Sequence, residues 1–263
     1  MTRLSFCAMP YLDLDGDQIY YALHRNRADG VPVLLIHGAG ENHLVWPIGL
    51  RRLPGTIVYA IDLPGHHKST GRSCATIEGY TDSIIRFMKA LDIERAIVIG
   101  HSMGGAIAQL CGLKYPDRVR GLVLVATGAK LRVAPQLLQL AATDFAAAAE
   151  LVSQWEWGPL APEAVRQAGK EQLLQIAPET VLDDYRASDV FDVRDQLAAI
   201  RAPVLIIAGE VDQMTPLKHA TFLAEHVPHT RLVTVPQAGH MVMLEAAERV
   251  TRAVTEFVSE IDQ

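Results

Sequence analysis

The sequence predicts an α/β fold, a mostly parallel sheet flanked by helices and interrupted once by a helical insertion. Three observations predict it. Short, fully apolar, β-branched runs alternate with helix-length amphipathic runs from Val33 to Val125, and again from Pro203 to Ile261; this is the pattern of a parallel sheet covered on both faces. The alternation stops near Lys130 and resumes near Ala199, with no convincing strand between. The run Ala96–Ile99 ends abruptly in Gly100-His101-Ser102-Met103-Gly104-Gly105, a strand–turn–helix junction with a serine at the turn.

Taken in order, residues 4–24 read as a hairpin, with Tyr11–Leu14 and Ile19–Leu23 on either side of Asp15-Gly16, a dipeptide suited to a tight turn with positive φ. Val33–Ile36 is a buried strand running into His37-Gly38-Ala39-Gly40. A helix over about Leu44–Leu53 follows, then a strand at Thr56–Ile61 that ends in Asp62-Leu63-Pro64-Gly65. Thr76–Leu91 carries apolar residues at helical spacing: Ile77, Tyr80, Ile84, Phe87, Met88 and Leu91. After the serine junction come a helix, Ala106–Tyr115, and a short strand, Leu122–Val125. The insertion reads as helices over about Pro135–Gln154, Pro162–Ile176 and Pro178–Ser188, each beginning near a proline. The last units are a strand at Pro203–Ala208, a helix at Leu217–His226, a strand at Arg231–Val235 and a closing helix at Leu244–Ile261. The expected division is therefore a core domain of residues 1–129 and 200–263 with a helical cap at 130–199.

Composition limits the function classes. Of 263 residues, 49% are hydrophobic and 21% charged, ordinary values for a globular protein. The net charge of −6 without a like-charge run disfavours nucleic acid and anionic membranes as partners. No apolar run approaches the length of a bilayer span, and Met1–Pro10 is too short and mixed for a signal peptide. Cys7, Cys74 and Cys111 match no metal or redox spacing and read as reduced thiols, which points to the cytoplasm. A monomer or homodimer without metal or cofactor is expected.

The chemistry follows from the topology. Ligands of such sheets bind outside the carboxyl ends of the strands. A serine squeezed between a strand end and a helix start must take a strained backbone, and glycines two residues away on either side tolerate the crowding. Ser102 is the expected nucleophile. Its hydroxyl needs a base, and the base a carboxylate to orient it. His240, after the last strand, is the expected base, and Asp212 the expected acid in preference to Glu210. His101 should point away into packing, His37 should bond within its own loop, and His219, His226 and His229 should be solvated. His66 and His67 lie on a loop that borders the pocket. The backbone N–H groups of Ala39 and Met103 are the expected oxyanion donors. Activity is expected to fall as acid protonates the base.

These motifs together resemble the α/β-hydrolase family: His37-Gly38, Asp62-Leu63-Pro64-Gly65, the Ser102 elbow, Gly209-x-x-Asp212 and Gly239-His240, with Trp46 fitting the carboxylesterase and haloperoxidase-like branch. The resemblance implies an eight-stranded sheet, a Ser-Asp-His triad and acyl transfer. Serine at 102 disfavours the relatives that use aspartate there. One departure is visible, Gly65-His66-His67 where relatives usually have Gly-His-Gly.

Substrate choice falls to the insertion. Trp155 and Trp157, two apart on a helix, cannot share one face: either one lines the pocket while the other packs, or both belong to the cap core; Leu131 and Met241 add apolar surface. Arg132, Arg166 and Arg186 are read as solvated. The expected activity is therefore a serine carboxylesterase acting on small, neutral esters of short-to-medium acyl chain. An enol-lactonase or carbon–carbon hydrolase, with an arginine facing the pocket, is the alternative. A ligand-binding receptor on a hydrolase fold is the reading from another class.

Overall fold

A computed structural model describes residues 10–262. Cys7, residues 4–9 of the expected hairpin and the leader-peptide reading of Met1–Pro10 lie essentially outside them. The apolar runs become one eight-stranded sheet: β1 Tyr11–Leu14, β2 Asp17–Arg25, β3 Val31–Ile36, β4 Thr56–Ile61, β5 Ala96–His101, β6 Val119–Val125, β7 Val204–Gly209 and β8 Thr230–Val235, in the order β1-β2-β4-β3-β5-β6-β7-β8. β3 to β8 are parallel, while β1 and β2 add an antiparallel edge. Asp15 and Gly16 turn that hairpin with φ of 58° and 96°, as the dipeptide predicts.

Alternate side chains of each central strand enter opposite core layers. Leu34, Val98, Leu124 and Ile206 pack with α2 (Ile77–Ala90), α3 (Met103–Lys114) and α8 (Leu217–His226). Leu35, Ile99, Val123 and Leu205 pack with α1 (Ile48–Arg51) and α10 (Ala247–Ile261). Apolarity on both faces is why these strands read as continuous hydrophobic runs rather than alternating ones.

Three helices differ from expectation. The segment Leu44–Leu53 forms a single 3-10 turn, His43–Val45, and then the one-turn α1, because Pro47 separates them and caps the second. Pro135–Gln154 is two helices, α4 (Pro135–Thr143) and α5 (Phe145–Trp155). Asp144 breaks them apart: its backbone leaves the helix at φ −152°, and its carboxylate accepts the Ala147 N–H as the cap of α5. The closing helix begins as a short separate turn, α9 (Val242–Glu245).

Residues 130–199 contribute no strand to the sheet; α4, α5, α6 (Glu163–Leu173) and α7 (Pro178–Val190) share a small apolar cluster that includes Leu137, Val152, Ile176, Val181 and Tyr185. The cluster meets the sheet side through Ala39 and Met214. A buried polar tie fastens it. Asp184 of α7 accepts the Gly40 N–H at 2.9 Å and the His66 Nε2–H at 2.8 Å, and a Tyr80 hydroxyl bond completes its set. His66 thus turns inward, fully buried, and neither it nor His67 lines the pocket as expected. Nδ1 of His66 faces the Pro64 carbonyl, so both ring nitrogens must donate and the ring carries a proton on each. Burial opposes that charge, but Asp184 outweighs it and raises the His66 pKa. Replacing Asp184 by alanine is expected to cost about 3 kcal/mol, since it strands a buried imidazolium. A drop in the urea midpoint checks this, and an unchanged midpoint would refute it.

Candidate active site

The elbow is strained as its sequence requires. Ser102 sits at φ 50°, ψ −114° between β5 and α3, a conformation unfavourable for any residue with a Cβ. Neighbours hold it there: the Ser102 N–H donates to Val125 O at 2.9 Å, and the Thr127 hydroxyl donates to Ser102 O at 2.7 Å. Thr127 belongs to Ala126-Thr127-Gly128 after β6, where no carboxylate stands.

Asp212 follows β7 and is buried. Its Oδ1 accepts the N–H groups of Met214 and Thr215, both at 2.8 Å. Its Oδ2 accepts the Thr215 hydroxyl at 2.7 Å and His240 Nδ1–H at 2.9 Å. Burial alone would raise the Asp212 pKa, but the His240 ring and these donors outweigh it and hold the carboxyl down at about 2. Glu210 is exposed and takes no part. Because the folded pKa lies below the usual 3.8, the ionised form stabilises the fold above about pH 4, and that stability is lost as pH falls towards 2. Asp212→Asn is expected to remove about 2 kcal/mol of that pH-dependent stability. Unfolding free energies measured at pH 5, 4, 3 and 2 would show a flatter acid limb; an identical limb would contradict it.

His240 Nδ1 is thereby occupied, and its Nε2 makes no hydrogen bond to a described residue. Ser102 Oγ is likewise unbonded, and both side chains border one cavity of about 470 Å³. Hydrogen bonds of this kind commonly tighten only around substrate. The N–H groups of Ala39 and Met103 also lack partners among the described residues, and Met103 opens α3, where the helix dipole favours negative charge. All five residues expected at the site are thus brought to one edge of the sheet.

A supporting layer beneath them has no counterpart in the sequence motifs. His240 N–H and Met241 N–H both donate to the Glu156 carbonyl, at 2.8 and 3.1 Å, so the end of α5 fixes the loop carrying His240. His101, fully buried as expected, bonds Glu41 through Nδ1 at 2.9 Å and the His240 carbonyl through Nε2 at 3.1 Å. Both partners only accept, so His101 is an imidazolium. Burial opposes its charge, but Glu41 outweighs it and raises the His101 pKa; the same pairing overcomes burial and lowers that of Glu41. His37 is the opposite case. Its Nδ1 donates to Gly38 O and its Nε2 accepts the Leu63 N–H, so the ring is neutral; burial and then His66 push its pKa down to about 4.

The pocket residues differ in detail from expectation. Leu131, Trp155, Trp157 and Met241 all border the cavity. The two tryptophans do not share a helix, because α5 ends at Trp155, and both reach the cavity wall. His219 borders it too and is half-buried, whereas His226 and His229 are exposed. Arg166 is tied to the carbonyls of Ala161 and Gly158, and Arg186 faces Asp183. Arg132 reaches the cavity edge but pairs with Asp189 at 3.4 Å.

One group among the described residues has the donors to hold a metal: His43, Asp62 and His67, with ligand atoms within 4.8 Å of one another. Its hydrogen bonds close it as a loop clamp. Asp62 accepts from His43 N–H at 2.7 Å, from the His43 and His67 rings at 2.8 and 3.2 Å, and from Lys68 N–H at 3.3 Å. His67, where relatives usually have glycine, sits at φ 45°.

Fold and geometry of this kind define a hydrolase built on an α/β sheet. A family model described as "Alpha/beta hydrolase family" matches residues 33–253, and the chain belongs to that family. It is 31% identical to a pimeloyl-[acyl-carrier protein] methyl ester esterase of Neisseria meningitidis, over 86% of this chain and 93% of that protein. Among solved structures, a thermophilic esterase superposes with a TM-score of 0.85 at 30% identity, covering 95% of this chain and 97% of the other. The enol-lactonase from Burkholderia xenovorans LB400 superposes with a TM-score of 0.88 at 24% identity, over 95% of this chain and all (100%) of the other, and shares the fold. No helix of the described residues is long and apolar enough to cross a membrane.

Proposed function

We propose that this carboxylic ester hydrolase works as a serine esterase on small esters of short-to-medium acyl chain, through an acyl-enzyme on Ser102. The observation that carries the reading is the strained Ser102 facing the same cavity as a histidine already oriented by a buried, ionised aspartate. Ser102 Oγ bonds to the ester carbonyl carbon as its proton passes to Nε2 of His240. The carbonyl oxygen becomes an oxyanion, received by the N–H groups of Ala39 and Met103. Collapse breaks the bond to the alcohol, which leaves with the proton from His240. Water then attacks the acyl-enzyme by the same route and releases the acid. Asp212 holds the imidazole tautomer and stabilises the imidazolium.

In this reading residues 130–199 are a cap on a core of 1–129 and 200–263. Leu131, Trp155 and Trp157 from the cap and Met241 from the core wall the acyl site, whose volume suits a small molecule. The lactonase and carbon–carbon hydrolase alternative calls for an arginine facing the pocket; Arg132 reaches the cavity edge, where its guanidinium pairs with Asp189. A cytoplasmic setting accords with the free thiols of Cys74 and Cys111, whose pKa values burial pushes up to about 11 and about 12. A fluorophosphonate probe is expected to label the protein at Ser102, and p-nitrophenyl esters of rising chain length to be hydrolysed with a maximum at short-to-medium length. Turnover of a lactone or vinylogous diketone but of no ester would move the activity to the alternative. Folded protein that takes no label would remove the enzymatic mechanism.

A further inference from the structure

We propose that the cavity beside Ser102 carries a cation-recognising pole, built from Glu156, Glu41 and Tyr185, that selects esters bearing a protonated amine. All three residues line the cavity. Tyr185 is only 5% exposed and its hydroxyl makes no hydrogen bond to a described residue, while the partly buried Glu156 carboxyl meets only the Trp157 side chain. Buried polar groups without partners are costly, and those that persist in a pocket are waiting for a ligand's groups.

Charge decides what the ligand brings. Glu41 and Asp212 are ionised inside the site, and His101 supplies the one fixed positive charge there. The basic residues at the cavity edge are already used: Lys130 pairs with Asp192 at 2.8 Å and Arg132 with Asp189. The balance is therefore one negative charge in excess even with Glu156 protonated. Burial, and next the Glu41 charge, hold the Glu156 pKa up at about 8; Trp157 and His101 work against this, and Glu245, itself facing Arg166, adds to it. An ammonium group takes the place of the Glu156 proton, one positive charge for one, so the carboxylate gains a counter-charge and a proton is released. Trp155 and Trp157 also line the cavity, and indole rings attract cations.

The pole deepens the esterase reading but is measurable without it. Calorimetry with hexylamine and with 1-hexanol at pH 7 is expected to show the amine binding at least about tenfold more tightly. Repetition in buffers of different ionisation enthalpy is expected to reveal release of a proton. Glu156→Gln is expected to abolish both the preference and the proton release, and Tyr185→Phe to weaken the preference with the same proton release; thermal melts establish that each variant is folded. Among substrates, methyl 6-aminohexanoate is expected to exceed methyl heptanoate in kcat/KM, by a ratio that grows from pH 6 to pH 8. Equal binding of amine and alcohol, or a preference untouched by Glu156→Gln, would overturn the pole. Failure to hydrolyse either ester would instead bring down the esterase reading and leave the binding result standing.

Discussion

Replacing Ser102 by alanine is expected to lower kcat for every ester the protein hydrolyses by about 10⁴-fold or more, with no change in stability beyond about 0.5 kcal/mol. The two halves of that expectation have different causes. Activity is lost because the bond-forming oxygen is gone and nothing else at the cavity replaces it: His240 and Asp212 remain, but no covalent intermediate can form. Stability is kept because Ser102 Oγ contributes no hydrogen bond to the fold, and alanine has the same Cβ in the same strained backbone. The ties holding the elbow run through the main chain, from Ser102 N–H to Val125 O and from the Thr127 hydroxyl to Ser102 O, so the substitution leaves them intact. Residual turnover comes from the oxyanion donors alone. Single-turnover assays and denaturant melts on one preparation would check both halves. A variant retaining more than about 1% of wild-type kcat would place the nucleophile elsewhere.

Much of this site is legible in the sequence because its parts are local. The elbow, the Gly38-Ala39-Gly40 loop and the residues after β7 and β8 each lie within a few positions of a strand end, and a parallel sheet brings all such ends to one side. What was not legible is long-range. Asp184 bonds Gly40, His66 and Tyr80 across 144, 118 and 104 residues, and no local pattern encodes those partners. A signal did exist: Thr180, Val181, Asp184, Tyr185, Ala187 and Ser188 form the buried face of α7, so a carboxylate stands in the middle of an otherwise inward-facing stripe. Glu41, His101 and Glu156 escaped for a related reason. Each supports the proposed base through a contact with the distant His240 loop or with one another, and for Glu156 part of that contact is main-chain, invisible to any reading of side chains. The helix errors are of another kind. Pro47 and Asp144 are ordinary tolerated residues near a helix start, and here each ends one run and opens the next.

Gly104→Ala is expected to cost about 5 kcal/mol or more, enough to leave a protein of ordinary stability largely unfolded. A Cβ at Gly104 would overlap the carbonyls of Ile36 and His37, and one at Gly100 would overlap the carbonyl of Gly104. All of these obstacles are backbone. Ile36 ends β3, which is paired on both sides by β4 and β5, so it cannot give way without breaking the centre of the sheet. Relief would require α3 to lift away, and α3 carries the Met103 N–H and buries ten of its residues, among them Ile107, Leu110 and Cys111. Gly105 grades the argument, since the obstacle there is the Thr127 side chain, which can rotate but then releases its bond to Ser102 O. Gly105→Ala is expected to cost less, about 2 kcal/mol, with a disproportionate loss of kcat. Gly16→Ala meets nothing within 4 Å and carries only the penalty of its positive φ, about 1 kcal/mol. Urea midpoints should fall in that order, smallest loss at 16 and largest at 104. A Gly104→Ala protein as stable as wild type would mean that α3 does not need to approach β3 this closely, and the strain assigned to Ser102 would lose its structural cause.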